Sequence, residues 1–347
     1  MSARQVYSSA VAASVFLCGL VCGSSAGRRP MAGMTFAAWT PGGYAAPEAT
    51  QQLGRVRELG VDTVAIVARG YQDGRRATEV HLDPALAASA EEVRGIIRVA
   101  RGLGMQVMLK PQLDFPPGYA GWRGEIEFDR EEDWRAWFES YSVFMSAWAE
   151  MAESEGVSIL CIGVELDATR HREADWRGVV ARMRKSFSGS LTYAANWDRE
   201  TDIRWWDALD YIGVDAYYPL GEKDDPTVED LRAAWLPHIE RLRSCAEEWG
   251  KPILVTELGY RSAEGAATQP WEWEITRPVR LDLQARLYEA ALGSLFDQPW
   301  FAGAFWWFWS ASPIARPDED DDFTVQGKPA EEVVRRFYGR LRPPRRP

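Results

Sequence analysis

Ile159-Leu-Cys-Ile-Gly-Val-Glu165 is apolar until its last position, where it ends on a carboxylate, and Ile253-Leu-Val-Thr-Glu257 repeats the construction. Short, β-rich, continuously apolar runs are what strands buried on both faces look like. With a side-chain period of two, Ile159, Cys161, Gly163 and Glu165 share one face, and Ile253, Val255 and Glu257 share another. A carboxylate that closes such a strand is costly unless it is solvated, paired or put to use.

Outward from these two runs the chain keeps one rhythm. Further β-rich runs occur at Thr35–Trp39, Thr63–Ala68, Gln106–Pro111, Leu191–Asn196, Tyr211–Tyr217 and Phe301–Trp309. Amphipathic segments lie between them, the clearest at 48–59, 89–102, 132–155, 227–249 and 278–296, with shorter ones at 200–208 and 329–339. Ser89-Ala-Glu-Glu92 fits a capping box, and Leu59-Gly60 and Leu103-Gly104 look like helix stops. Strands alternating with helices imply a parallel sheet, and eight such units in about 310 residues are the count and size of a (β/α)8 TIM barrel. A doubly wound sheet would want a Gly-rich phosphate loop after its first strand, and Trp39-Thr-Pro-Gly-Gly43 has the wrong spacing for one. The expected organisation is a leader and linker at 1–30, a single barrel domain at 31–340 and a disordered tail at 341–347.

In a barrel enzyme the site is built at the C-terminal ends of the strands. Singly, Glu165 or Glu257 reads equally well as a rim carboxylate paired with an arginine. Two of them, on strands three apart in a ring of eight, are the minimum equipment for glycoside cleavage. One protonates the leaving oxygen, and the other attacks the anomeric carbon or activates water. Neighbouring strand ends supply candidates for binding sugar. Lys110 and Gln112 share a face and could hydrogen-bond hydroxyls, and Asn196 ends its strand beside Thr192 and Ala194. Asp215-Ala-Tyr217 places a phenol where it could donate to a nucleophilic carboxylate and favour its charged form. Trp307 and Trp309 take one face by alternation, leaving Trp306 and Phe308 to the helix side; a shift of one residue would exchange the sets. Trp39 is a further stacking candidate.

Composition narrows the chemistry. The net charge of −11 argues against a nucleic-acid partner. Seventeen tryptophans are a marked excess; indole faces stack on the C–H faces of sugar rings, although core packing claims many of them. The three histidines, His81, His171 and His238, are too far apart in sequence for a catalytic zinc motif, and no G-x-S-x-G elbow is present. No metal and no cofactor are expected. The acidic run Asp318–Asp322 reads as a solvated loop after the last strand, with calcium the alternative. Arg4, an apolar stretch from Val11 to Cys22 and the small residues Ser24-Ser25-Ala26 have the layout of a signal peptide, with Cys22 an alternative lipid attachment site. A secreted or cell-envelope location follows. Cys161 and Cys245 read as buried free thiols.

The sequence resembles clan GH-A glycoside hydrolases, and within them family GH113, whose characterised members are mainly endo-β-1,4-mannanases. The resemblance rests on Lys110-Pro-Gln-Leu-Asp114, Ile162-Gly-Val-Glu-Leu166, Asp215-Ala-Tyr-Tyr-Pro219, Thr256-Glu-Leu-Gly-Tyr260, Phe305-Trp-Trp-Phe-Trp309 and Gln326-Gly-Lys-Pro-Ala330. It implies a retaining β-mannanase with Glu165 as acid/base, Glu257 as nucleophile and no metal in the chemistry. Many clan members carry Asn just before the acid/base, contacting the sugar 2-hydroxyl, whereas this chain has Val164. That contact would then come from Asn196 or Lys110. The alternatives are a glycosidase for another β-glycan such as galactan or glucan, and a non-catalytic carbohydrate-binding barrel. The expected partner is a β-linked oligo- or polysaccharide, met by a monomer with no protein partner.

Overall fold

The strands β1 (Met31–Ala37), β2 (Thr63–Tyr71), β3 (Gln106–Asp114), β4 (Ile159–Val164), β5 (Ser190–Asn196), β6 (Ile212–Asp215), β7 (Ile253–Leu258) and β8 (Phe301–Ser310) pair in parallel, in chain order, and β8 closes on β1. The computed structural model describes residues 29–341, so the expectations for the leader and for the tail beyond Leu341 lie outside the described residues. Among the described residues seven α-helices surround the barrel: α1 (Pro47–Glu58), α2 (Ala90–Gly102), α3 (Glu131–Ser154), α4 (Glu173–Ser186), α5 (Val228–Trp249), α6 (Leu281–Leu295) and α7 (Pro329–Leu341). None of the described helices is long and apolar enough to cross a membrane.

Local chemistry explains the boundaries. The Ser89 hydroxyl accepts from the Glu92 amide and the Glu92 carboxylate accepts from the Ser89 amide, which starts α2; Thr227 and Asp230 start α5 in the same way. Gly60 and Gly104 end α1 and α2 at positive φ, +105° and +75°, where a side chain would be strained. Helix α4 was not singled out from the sequence, yet its buried residues Trp176, Val179, Val180 and Met183 have helical spacing. Between β5 and β6 there is no α-helix. Two 3₁₀ turns, Glu200–Asp202 and Trp206–Ala208, span the gap, and buried Trp205 stacks on Trp176 at 5.1 Å where a helix would otherwise cover the sheet. Nine of the 17 tryptophans are buried, so core packing accounts for about half of them.

Strict alternation fails in the three strands that matter most. In β4, Ile159 and Cys161 point into the barrel, but Val164 rather than Gly163 takes the next inner place. The pairings Cys161↔Thr192 and Val164↔Ala194 show one extra residue in β4, and a Cβ on Gly163 would meet Tyr193 and Trp176 outside the sheet. In β7 it is Leu254 that fills the interior, while Ile253 and Val255 face the helices, the reverse of the expected parity. Register then shifts between Val214↔Val255 and Asp215↔Glu257, and this extra residue re-aims Glu257. In β8, Phe305 is inside as expected. Between Met34↔Trp306 and Phe36↔Trp309 the strand again gains a residue, around the cis Trp307–Phe308 peptide. Phe308 therefore joins Trp307 at the inner rim, and Trp309 is turned outward: it is fully buried, with its Nε1 donating to Gln52 of α1 and Arg55 over its ring.

The acidic run after β8 is only partly solvated. Asp318 and Glu319 are exposed, but Lys328, buried, donates to Asp320 Oδ2 at 2.7 Å, and Arg261 pairs with Asp321. Cys161 and Cys245 are buried and free, as read from the sequence.

Candidate active site

Glu257 lies at the base of the mouth formed by the C-terminal strand ends. Lys110 Nζ donates to its Oε1, and the Tyr217 hydroxyl donates to its Oε2 at 2.8 Å. Both carboxylate oxygens are thus acceptors, the pattern of an ionised group. Lys110, on β3, is fully buried, and its ammonium also lies 3.4 Å from Asp215 Oδ1. Burial alone would lower the Lys110 pKa, but the charges of Asp215 and Glu257 outweigh it and hold the ammonium above its ordinary value. One cation thus serves two carboxyls. Burial first, and then the Glu257 charge, push Asp215 well above the carboxylate range. Its Oδ1 accepts from Thr256 at 2.7 Å, while the buried Oδ2 has no partner.

Glu165 follows β4 directly and is the one described non-glycine residue with positive φ, +50°. Such a conformation costs on the order of 1–3 kcal/mol and tends to occur where a side chain must be aimed. The carboxylate is aimed at Arg123, whose Nη1 meets Oε2 at 3.0 Å. Arg123 is itself held by Asp114 Oδ1 at 3.0 Å and by the Leu113 carbonyl at 2.9 Å, and Gln112 turns its amide toward the same guanidinium. Burial raises the Glu165 pKa; Arg123 opposes the shift and the charge of Glu257 adds to it. The balance leaves Glu165 above the ordinary carboxylate range, as a proton donor needs.

Asp167, two residues on, has its side chain largely buried and is pushed up to about 7 by burial, then by Glu165 and Asp198. The Asn196 side chain donates to it, and Arg199 Nε lies 3.9 Å away.

Of the residues singled out from the sequence, the structure brings together Lys110, Gln112, Glu165, Asp215, Tyr217 and Glu257. Trp307 joins them with its ring centroid 6.0 Å from Lys110 Nζ, and Asn196 pairs in register with Asp215. Trp39 stands at the rim, 37% exposed, 5.6 Å from Trp307 and edge-on to Phe308 at 5.2 Å. Lys110 is a carboxylate partner rather than a ligand at the cleft surface, and Trp309 is remote from the site. Phe308 stands where Trp309 was expected. Arg123 was missed: it sits in a 3₁₀ turn between β3 and α3 where no periodicity applies. Asp167 carried a signal, as a second acidic residue just past the end of β4. Among the described residues, no cluster of His, Cys, Asp and Glu is placed to hold a metal ion.

Comparison with known proteins finds a family and solved structures that this chain resembles. The model of Glycoside Hydrolase Family 113 matches residues 34–328. A GH113 β-mannanase from Alicyclobacillus acidocaldarius, solved in complex with ManMIm, is 32% identical with a TM-score of 0.84, over 92% of this chain and 100% of that one. A second GH113 β-1,4-mannanase structure, also a complex, is 27% identical with a TM-score of 0.81, over 90% and 99% of the two chains. A GH5_18 protein from Streptomyces cattleya in complex with GlcNAc, 14% identical with a TM-score of 0.60 over 92% and 82%, shares the fold. No curated protein matches the sequence.

Proposed function

The chain belongs to glycoside hydrolase family 113, and from that membership we propose that this glycoside hydrolase cleaves β-1,4-mannan by double displacement, with Glu165 as acid/base and Glu257 as nucleophile. The observation that carries the reading is the unequal setting of the two carboxyls. Glu165 has its pKa raised by burial beside the charge of Glu257, whereas both oxygens of Glu257 accept hydrogen bonds, from an ammonium and a phenol. Environments that differ in this way divide acid from nucleophile.

Glu165 gives its proton to the glycosidic oxygen as that oxygen leaves, and a Glu257 oxygen attacks C1 to form a glycosyl ester. Glu165, now charged and steadied by Arg123, takes a proton from water as the water attacks C1. The ester bond breaks, and Glu257 leaves as a carboxylate toward Lys110 and Tyr217. Mannan as the polymer is supported by the two solved β-mannanases. One observation, Val164 packed in the barrel interior where many related enzymes present Asn to the 2-hydroxyl, favours a second reading in which the polymer is another β-glycan. A polymer too large to cross a membrane is met outside the cell, in keeping with the signal-like layout of residues 4–26.

The test is sugar release from β-mannan, galactan and glucan by the wild type, Glu165→Ala and Glu257→Ala. Each variant should lose several orders of magnitude while staying folded. With a nitrophenyl glycoside, whose leaving group departs without a proton, azide should rescue Glu165→Ala with formation of a β-glycosyl azide. Near-normal turnover by Glu257→Ala sinks the assignment.

A further inference from the structure

The rim at the ends of β5 and β7 carries an aromatic arrangement that the bond-breaking chemistry does not use. Trp197 follows β5, and Trp271 lies in the long loop from 259 to 280 between β7 and α6. Their rings stack at 5.3 Å and 16°. Trp197 also packs on the inner-rim cluster of Tyr217 and Phe308, so the stack is continuous with the catalytic mouth. Its outer end is open: Trp271 is 42% exposed, and Trp273 in the same loop is 70% exposed. Folding gains little from indole surface left in water, which marks such a patch as a contact surface.

The loop that presents Trp271 is tied down on two sides. The Leu220 amide donates to the Ala267 carbonyl at 2.7 Å and the Thr268 hydroxyl to the Gly221 carbonyl at 2.9 Å. On the other side, Arg261 Nη1 donates to the Ile275 carbonyl at 2.6 Å and pairs with Asp321, whose Oδ2 also accepts from the Arg277 amide at 3.2 Å. The acidic run of the β8–α7 loop is therefore part of the anchor. A held aromatic face binds without first losing conformational entropy. In a ring of eight, β5 is four strands from β1, so the stack lies across the mouth from Trp39.

We propose that the Trp197–Trp271 pair is a stacking platform for a sugar ring of the same polymer, at a distance from the cleaved bond. The platform makes an extended chain a better substrate than a short one. This rests on the polysaccharide-hydrolase reading, and two measurements separate their fates. In kinetics, Trp271→Ala should lower the ratio of kcat/KM for β-1,4-mannohexaose to that for mannotriose by about tenfold, the factor that about 1.4 kcal/mol of aromatic stacking sets, and Trp271→Phe should recover part of it. In affinity gels containing β-mannan, galactan or glucan, Glu257→Gln should be retarded by one polymer, and adding Trp271→Ala should abolish that retardation. Wild type that releases no sugar, alongside retardation that Trp271 controls, overturns the hydrolysis reading and supports the platform. A ratio and a retardation both indifferent to Trp271→Ala, or a Glu257→Gln parent that no gel retards, overturn the platform.

Discussion

The Tyr217 hydroxyl donates to Glu257 Oε2 at 2.8 Å while Lys110 holds Oε1 of the same carboxylate, so the proposed nucleophile is oriented from β3 and from the segment just past β6 at once. Tyr217→Phe removes one of these donors and leaves the packing against Phe323 in place. A hydrogen bond to a charged group contributes about 1.5–3 kcal/mol, so turnover should fall by roughly 10- to 100-fold. Steady-state kinetics on mannan, with the melting temperature as a folding control, check this.

Lys110 is shared between two carboxyls, and the sharing predicts a non-additive pair of substitutions. Lys110→Met leaves Glu257 and Asp215 together in a buried site without a cation. Removing one member of a buried pair typically destabilises by about 3–5 kcal/mol. Lys110→Met combined with Asp215→Asn should destabilise by less than the sum of the single changes, because a carboxyl is removed together with the ammonium. Urea unfolding of the four proteins measures the coupling; strict additivity would refute it.

The strands that end in Glu165 and Glu257 were legible because an apolar run closing on a carboxylate has few inexpensive explanations. The barrel followed from the alternation around them. What could not be read was the face each late residue takes. Each of β4, β7 and β8 gains one residue near its C-terminal end, and a gain of one exchanges inside for outside. Such bulges are set by register against the neighbouring strand, which a single run does not contain. Gly163 carries a trace of its bulge, since only a residue without Cβ fits against Tyr193 and Trp176. Arg123 left no trace, because its role depends on where a loop folds back.

Trp309 and Trp39 turn that difference into a measurement. Trp309 is buried against α1, so Trp309→Ala should lower stability by about 3–5 kcal/mol, as large aromatic truncations in cores do. Trp39 is exposed at the mouth, so Trp39→Ala should raise KM for mannan several-fold and change stability by less than about 1 kcal/mol. Thermal melts and KM values on both variants check this; the opposite pattern would restore the alternation read from the sequence.

As the proposed acid, Glu165 works only while it keeps its proton. Its raised pKa therefore sets the alkaline limb of the kcat/KM profile, and activity falls as pH rises through that limb. Arg123 opposes the rise by favouring the charged form. Arg123→Met should move the alkaline limb to higher pH and lower turnover, because the later step needs the charged form. A limb that moves to lower pH would show that Arg123 does not act through Glu165.

Asp167 offers the same logic in stability. In the folded chain it holds its proton to about pH 7, against 3.8 for the ordinary group, because it is buried beside Glu165 and Asp198. Between those values the folded state binds more protons than the unfolded state, so stability falls as pH rises across the window. Below the window both states are protonated and the effect vanishes; above it the penalty is complete. Asp167→Asn keeps the oxygen that accepts from Asn196 and loses the titration. The variant's gain in stability over the wild type should therefore be near zero at pH 4, grow toward pH 7 and then level off. Urea midpoints of both proteins from pH 4 to 8 test this, and a gain that shrinks with rising pH would mean that Asp167 is stabilised, not strained, by its charge.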